Sequence, residues 1–168
     1  MTMTRHTVLL AILLALLFPP LLAAGPARAD FTEGRRAFEQ GNFIRAFGLA
    51  YIEAKKGNAE AQTYVGVMFQ YGQGTRQDAR EAARWYTQAA EQDYLQAQIN
   101  LGALYATGTG VPRNLTEALK WFTIAAQRPG TVAEQNRLLA KRTMTKKQVA
   151  EGERRAAQWL KAKGREVK

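Results

Sequence analysis

Cysteine is absent from all 168 residues, and histidine occurs once, as His6. Without cysteine there is no disulfide to staple the fold, no thiol nucleophile and no cysteine to carry a lipid anchor. His6 falls in a segment expected to be removed. The remainder then has neither imidazole nor thiol, which excludes Ser-His-Asp and Cys-His catalysis and the common zinc sites. The phosphate-cradling pattern G-x-x-x-x-G-K-[ST] is missing as well. No cofactor and no metal are expected.

Long apolar runs are scarce. The longest, residues 8–18 (VLLAILLALLF), is stopped by Pro19-Pro20 and falls short of the roughly 20 residues a spanning helix needs. Arg5 precedes it, and the small-x-small triplet Ala27-Arg28-Ala29 follows. Residues 1–29 therefore read as a cleaved secretory signal with a mature start at Asp30, which makes the protein periplasmic or secreted. An uncleaved membrane anchor is the alternative. This segment has no Arg-Arg pair, so export of an unfolded chain is expected.

Charge is unevenly distributed. Residues 30–126 hold ten basic and ten acidic side chains, whereas residues 127–168 hold twelve basic and four acidic ones. A basic tail attracts anionic partners. For an exported chain those are a membrane surface, an envelope polysaccharide or an acidic protein rather than nucleic acid. The plain alternative is a solvated helix end.

What the chain does contain is a repeat. Shifted by 36 residues, AQTYVGVMFQYGQGTRQDAREAARWYTQAA (residues 61–90) aligns without a gap on AQINLGALYATGTGVPRNLTEALKWFTIAA (residues 97–126), with eleven identities. Gly66, Gly72, Gly74, Glu81, Ala82 and Trp85 recur as Gly102, Gly108, Gly110, Glu117, Ala118 and Trp121. A weaker copy lies upstream at the same offset, with Ala46 and Ala54 matching Ala82 and Ala90, and Leu49 where the tryptophan would stand. Terminal repeats are expected to be atypical, because one side faces solvent.

Each unit reads as two helices. Ala61, Val65, Met68 and Phe69 form one apolar stripe at helical spacing. Gly66 inside that stripe costs about 1 kcal/mol relative to Ala, and its recurrence implies a close helix approach. Gly72-Gln-Gly74 and Gly108-Thr-Gly110 break the chain. Asp78 and Asn114 then start the second helix, and Glu81 and Glu117 three residues on are close to a capping box. In the second helix Ala82, Trp85, Tyr86, Ala89 and Ala90 face inward, while Arg80, Arg84 and Gln88 face out. One hairpin cannot bury its own stripe, but stacked neighbours can.

These residues resemble the Sel-1-like repeat, a relative of the tetratricopeptide repeat. Ala97, Leu101, Gly102, Tyr105, Gly108, Gly110, Val111, Glu117, Ala118, Trp121, Ala125 and Ala126 carry the pattern. Thr75 replaces its usual valine, Asn114 its aspartate, and Tyr64 stands where Asn100 keeps its asparagine. The resemblance implies an all-α fold, a solenoid of helical hairpins acting as an adaptor, often in secreted or periplasmic bacterial proteins. On this reading residues 30–127 form the solenoid, with one degenerate and two full repeats. Residues 128–168 form a degenerate repeat and a basic C-terminal capping helix, whose seam is Val149, Gly152, Ala156, Trp159 and Leu160.

In stacked hairpins of this type the first helices line the concave face. Tyr64 and Tyr71 lie there and are not repeated, since Asn100 and Thr107 take their places. With Gln70, Gln98 and Asn100 they are the expected partner-binding residues, for a protein or peptide ligand. Glu81 and Glu117 are candidates for carboxylate-only hydrolysis, but their recurrence once per repeat has a structural explanation, and Glu151 and Glu153 lie on different helix faces. The sequence therefore points to an exported, non-enzymatic scaffold. The competing reading is an envelope-surface adaptor or enzyme accessory held to anionic lipid or polysaccharide by the basic tail.

Overall fold

The structure, a computed structural model, describes residues 31–165. The expected signal segment, residues 1–29, lies outside them. Among the described residues every regular element is an α-helix. In chain order these are α1 Thr32–Glu39, α2 Phe43–Lys55, α3 Ala59–Tyr71, α4 Ala79–Glu91, α5 Leu95–Thr107, α6 Leu115–Ala125, α7 Val132–Arg142 and α8 Lys146–Ala162. Helices α1 to α6 form three antiparallel hairpins, each packed on the next.

The repeated glycines explain why the hairpins superimpose. A Cβ on Gly66 would lie 2.6 Å from the Tyr86 ring, and one on Gly102 would lie 2.6 Å from the Phe122 ring. Each first helix thus touches the aromatic of its own second helix through bare backbone. Gly74 and Gly110 have positive φ, and a Cβ there would strike the carbonyl oxygens of Phe43 and Ala79, at 2.1 and 2.0 Å. These two glycines let the turn of one repeat close onto the start of the previous second helix, so they set the spacing between repeats.

The second helices begin as the sequence implies. Asp78 Oδ1 accepts from the Arg80 and Glu81 amides, and Asn114 Oδ1 from those of Thr116 and Glu117. The expected capping box does not form around them. The Asp78 and Asn114 amides instead donate to the carbonyls of Phe69 and Tyr105, both at 2.8 Å, which leaves no donor for a reciprocal glutamate. Glu81 turns to Arg84, and Glu117 to Lys120 and Arg155. A complete box does form at Thr145 and Gln148, where α8 begins.

The core is built from small residues and repeated aromatics. Ala82, Ala90, Ala97 and Ala118 are fully buried, and Trp85, Tyr86, Trp121 and Phe122 fill the space between helices. Helix α8 lies on α6. Its seam residues Gly152, Ala156, Trp159 and Leu160 are buried, and Val149 is half-buried. Helix α7 also rests on α6, leaving Val132, Leu138 and Leu139 exposed.

Candidate functional site

The first helices share one face of the stack. On it lies a groove of about 370 Å³ bounded by Arg35 and Phe38 from α1, Glu60, Thr63, Tyr64 and Val67 from α3, and Tyr94 and Gln96 at the start of α5. Its floor is aromatic. Tyr64 meets Phe31 and Phe38 edge-on, with ring centroids 5.1 Å apart in each pair. An ion pair at 3.0 Å between Arg35 and Glu60 marks one end. Burial holds the Tyr64 and Tyr94 hydroxyls above the usual tyrosine pKa, with the Glu60 carboxylate adding to it. Both phenols therefore remain donors into alkaline solution.

A second polar cluster sits further along the α3–α5 seam. The buried Tyr86 hydroxyl donates to Gln70 Oε1 at 2.8 Å. Burial raises its pKa well above the tyrosine range, the Tyr71 hydroxyl adds to this, and a hydrogen bond with Asn100 opposes it. Asn100 in turn accepts from Gln96 Nε2 at 2.9 Å. Tyr71 stands 64% exposed beside this cluster.

Four of the five residues expected from sequence therefore share this face. Tyr64 lines the groove, while Gln70, Tyr71 and Asn100 gather around Tyr86. Gln98 is a correction. It is completely buried, donating to Ala90 O at 3.3 Å and to Asp93 Oδ1 at 2.9 Å, and accepting from Arg128. Its counterpart Gln62 donates in the same way to Ala54 O at 3.2 Å. Both glutamines seal the end of the preceding hairpin, and Gln98 spends its amide on those contacts. The repetition Gln62/Gln98 was the signal available for this. Sequence reasoning missed Arg35, Phe38 and Tyr94, which come from the degenerate hairpin and an inter-repeat turn.

The basic tail is partly spent on structure. Arg128 and Arg165 both reach Asp93 Oδ2, at 2.8 and 2.6 Å. Arg155 pairs with Glu117 and Glu151, and Lys141 with Glu153. Arg142, Lys146, Lys147 and Lys161 are exposed and make no ion pair among the described residues.

Stacked two-helix units with a groove along their first helices define an α-solenoid scaffold. More narrowly, the chain carries two Sel1 repeats, at residues 59–94 and 95–129, as Sel1 repeat proteins do. Such proteins are in general scaffolds for protein–protein interaction. No curated protein matches the chain at a significant level. Among solved structures, it is similar to a protective antigen of uropathogenic Escherichia coli strains that displays this repeat fold, with 29% identity over 80% of the chain and a TM-score of 0.75. It is also similar to a Sel1 repeat protein from Oxalobacter formigenes, with 30% identity over 77% of the chain and a TM-score of 0.63. The chain spans 30% and 56% of the lengths of these two proteins.

Proposed function

We propose that the protein is an exported scaffold that holds a protein or peptide segment on the face of its first helices and catalyses no reaction. The observation that carries this reading is the Tyr64 groove. It combines an aromatic floor with the Arg35–Glu60 pair at one end, and it falls where the repeat sequence varies. Binding residues belong on variable positions of a rigid scaffold. An extended segment laid there buries apolar side chains on Phe38, Tyr64 and Val67 and offers polar groups to Arg35 and Glu60. Export is supported by the signal-like residues 1–29.

Pull-down from the native envelope with wild type, Tyr64→Ala and Asn100→Ala tests the groove. The variants are expected to lose a discrete partner while keeping helical circular dichroism. Recovery of the same partners by all three contradicts the assignment. N-terminal sequencing of the native protein is expected to begin near Asp30.

A second reading rests on Arg142, Lys146 and Lys147, which are exposed around the α7–α8 turn and make no ion pair among the described residues. It makes the tail a tether to anionic lipid or polysaccharide. Co-sedimentation with anionic vesicles should then fall steeply as salt rises past about 0.1 M and should drop in the triple alanine variant. Salt-independent pelleting contradicts it.

A further inference from the structure

The chain already binds one helix on its second-helix side, and that helix is its own α8. Trp159 lies on Trp121 with ring centroids 5.9 Å apart and planes at 67°. Arg155 pairs with Glu117. The Trp159 indole donates to Glu91 Oε2 at 2.8 Å, Lys163 Nζ donates to the Glu91 carbonyl at 2.8 Å, and Arg165 reaches Asp93 at 2.6 Å. Arg155, Trp159 and Lys163, four residues apart, thus reach Glu117, Trp121 and the backbone carbonyl of Glu91 in turn, with the Glu91 and Asp93 carboxylates beside that end.

Moving each of those three receiving positions back by the repeat offset gives Glu81, Trp85 and Lys55. All three line an open trough of about 460 Å³ between α2 and α4. The fold therefore contains a second copy of the helix-binding trough, related to the first by the repeat itself.

The two copies differ in ways that select an occupant. Tyr51 replaces Thr87, and its ring meets Trp85 at 5.6 Å and 67°, much as Trp159 meets Trp121. Tyr51 remains 38% exposed, so it offers an aromatic surface rather than a closed plug. Lys55 replaces Glu91 and Gly57 replaces Asp93, so the end that grips the basic tail of α8 is itself basic in this copy. Lys55 makes no ion pair among the described residues. On the outer face of α2, Ile44, Gly48 and Ile52 stand where α4 has Arg80, Arg84 and Gln88, and Arg84 and Gln88 line the trough from its other wall. Ile44 is 81% and Ile52 55% exposed, and a Cβ on Gly48 would meet nothing within 4 Å.

We infer that the trough between α2 and α4 docks an amphipathic helix of a partner protein. That helix carries a basic residue toward Glu81, a large apolar residue four positions on toward Tyr51 and Trp85, and an acidic residue four positions further toward Lys55. The α8 of a second copy is disfavoured, because Lys163 and Arg165 would face Lys55. This site has none of its lining residues in common with the Tyr64 groove.

The test uses the full chain with Gln88→Cys, which places one fluorophore at an exposed lining position of the trough on a protein that has no other cysteine. The probes are peptides of residues 146–165, one native and one with Lys163→Glu. The Lys163→Glu peptide is expected to perturb the label saturably and at least tenfold more tightly than the native peptide. Lys55→Glu in the chain should reverse that order. Equal affinities, no saturable binding by either peptide, or an order unchanged by Lys55→Glu overturns the inference. So does a label that is already shielded from a soluble quencher before peptide is added, since the trough is then filled by the chain itself or by a second copy.

Discussion

The Gly66 backbone lies against the Tyr86 ring, with 2.6 Å between that ring and the position a Cβ would take. Gly102 repeats the relationship on Phe122. Gly66→Ala and Gly102→Ala are therefore overpacking changes, each expected to cost about 1–3 kcal/mol. Gly48→Ala is the control. It sits in α2 with open space around it and should stabilise by about 0.5–1 kcal/mol through helix propensity. Urea unfolding of the three variants checks the opposite signs.

Trp159 fixes α8 to the repeats from a distance of 68 residues in sequence. It is buried on Trp121, so Trp159→Ala should cost about 3–5 kcal/mol. Hydrogen exchange is expected to rise first in α8, then in α6, while α2 and α3 stay protected. Uniform loss of protection would show instead that the stack unfolds as one unit.

Asp93 ties three distant pieces of chain together. It adopts φ +64°, a left-handed conformation that Asp tolerates better than most residues, and it accepts from Gln98, Arg128 and Arg165. Burial by itself would raise its pKa, but the Gln98 hydrogen bond and the two guanidiniums outweigh burial and lower it. The folded chain thus takes up this proton at lower pH than the unfolded chain does. The stabilisation is complete above the unfolded value of about 4 and is lost as pH falls through the folded value. Asp93→Asn should cost about 1–2 kcal/mol at neutral pH, allowing for partial exposure. It should also flatten the acid limb of a thermal-melt series run from pH 6 downward.

Gln98→Ala separates structure from binding. It strips the Ala90 carbonyl and the Asp93 carboxylate of a buried donor, at an expected cost of about 1–3 kcal/mol. At temperatures where the variant is folded, partner capture should match wild type. A loss of capture greater than the loss of folded protein would return Gln98 to the binding surface.

The fold was readable wherever the sequence repeats, because repetition reports packing. Trp85 with Trp121, Gly66 with Gly102, and the Asp78 and Asn114 caps all occupy the positions the alignment implies. Reading was poorer where one residue has two competing uses. Glu81 and Glu117 sit at capping-box spacing, yet the cap amides are consumed by the preceding helix, which nothing local to the motif reveals. The candidate groove was only half legible. Tyr64 stands out by differing from Asn100, but Arg35 and Phe38 lie in α1, whose end precedes that of α3 by 32 residues and so falls out of register with the 36-residue repeat, and Tyr94 enters from a turn. The trough beside Tyr51 stayed hidden until α8 was seen lying in its counterpart.

The scaffold reading is tested most directly by a photo-crosslinking residue placed in the native compartment at Tyr64, at Val67 and, as a control on the outer face, at Arg80. The account predicts one discrete protein adduct shared by the Tyr64 and Val67 positions and absent at Arg80. No adduct at either groove position, or the same adducts at all three, would contradict it.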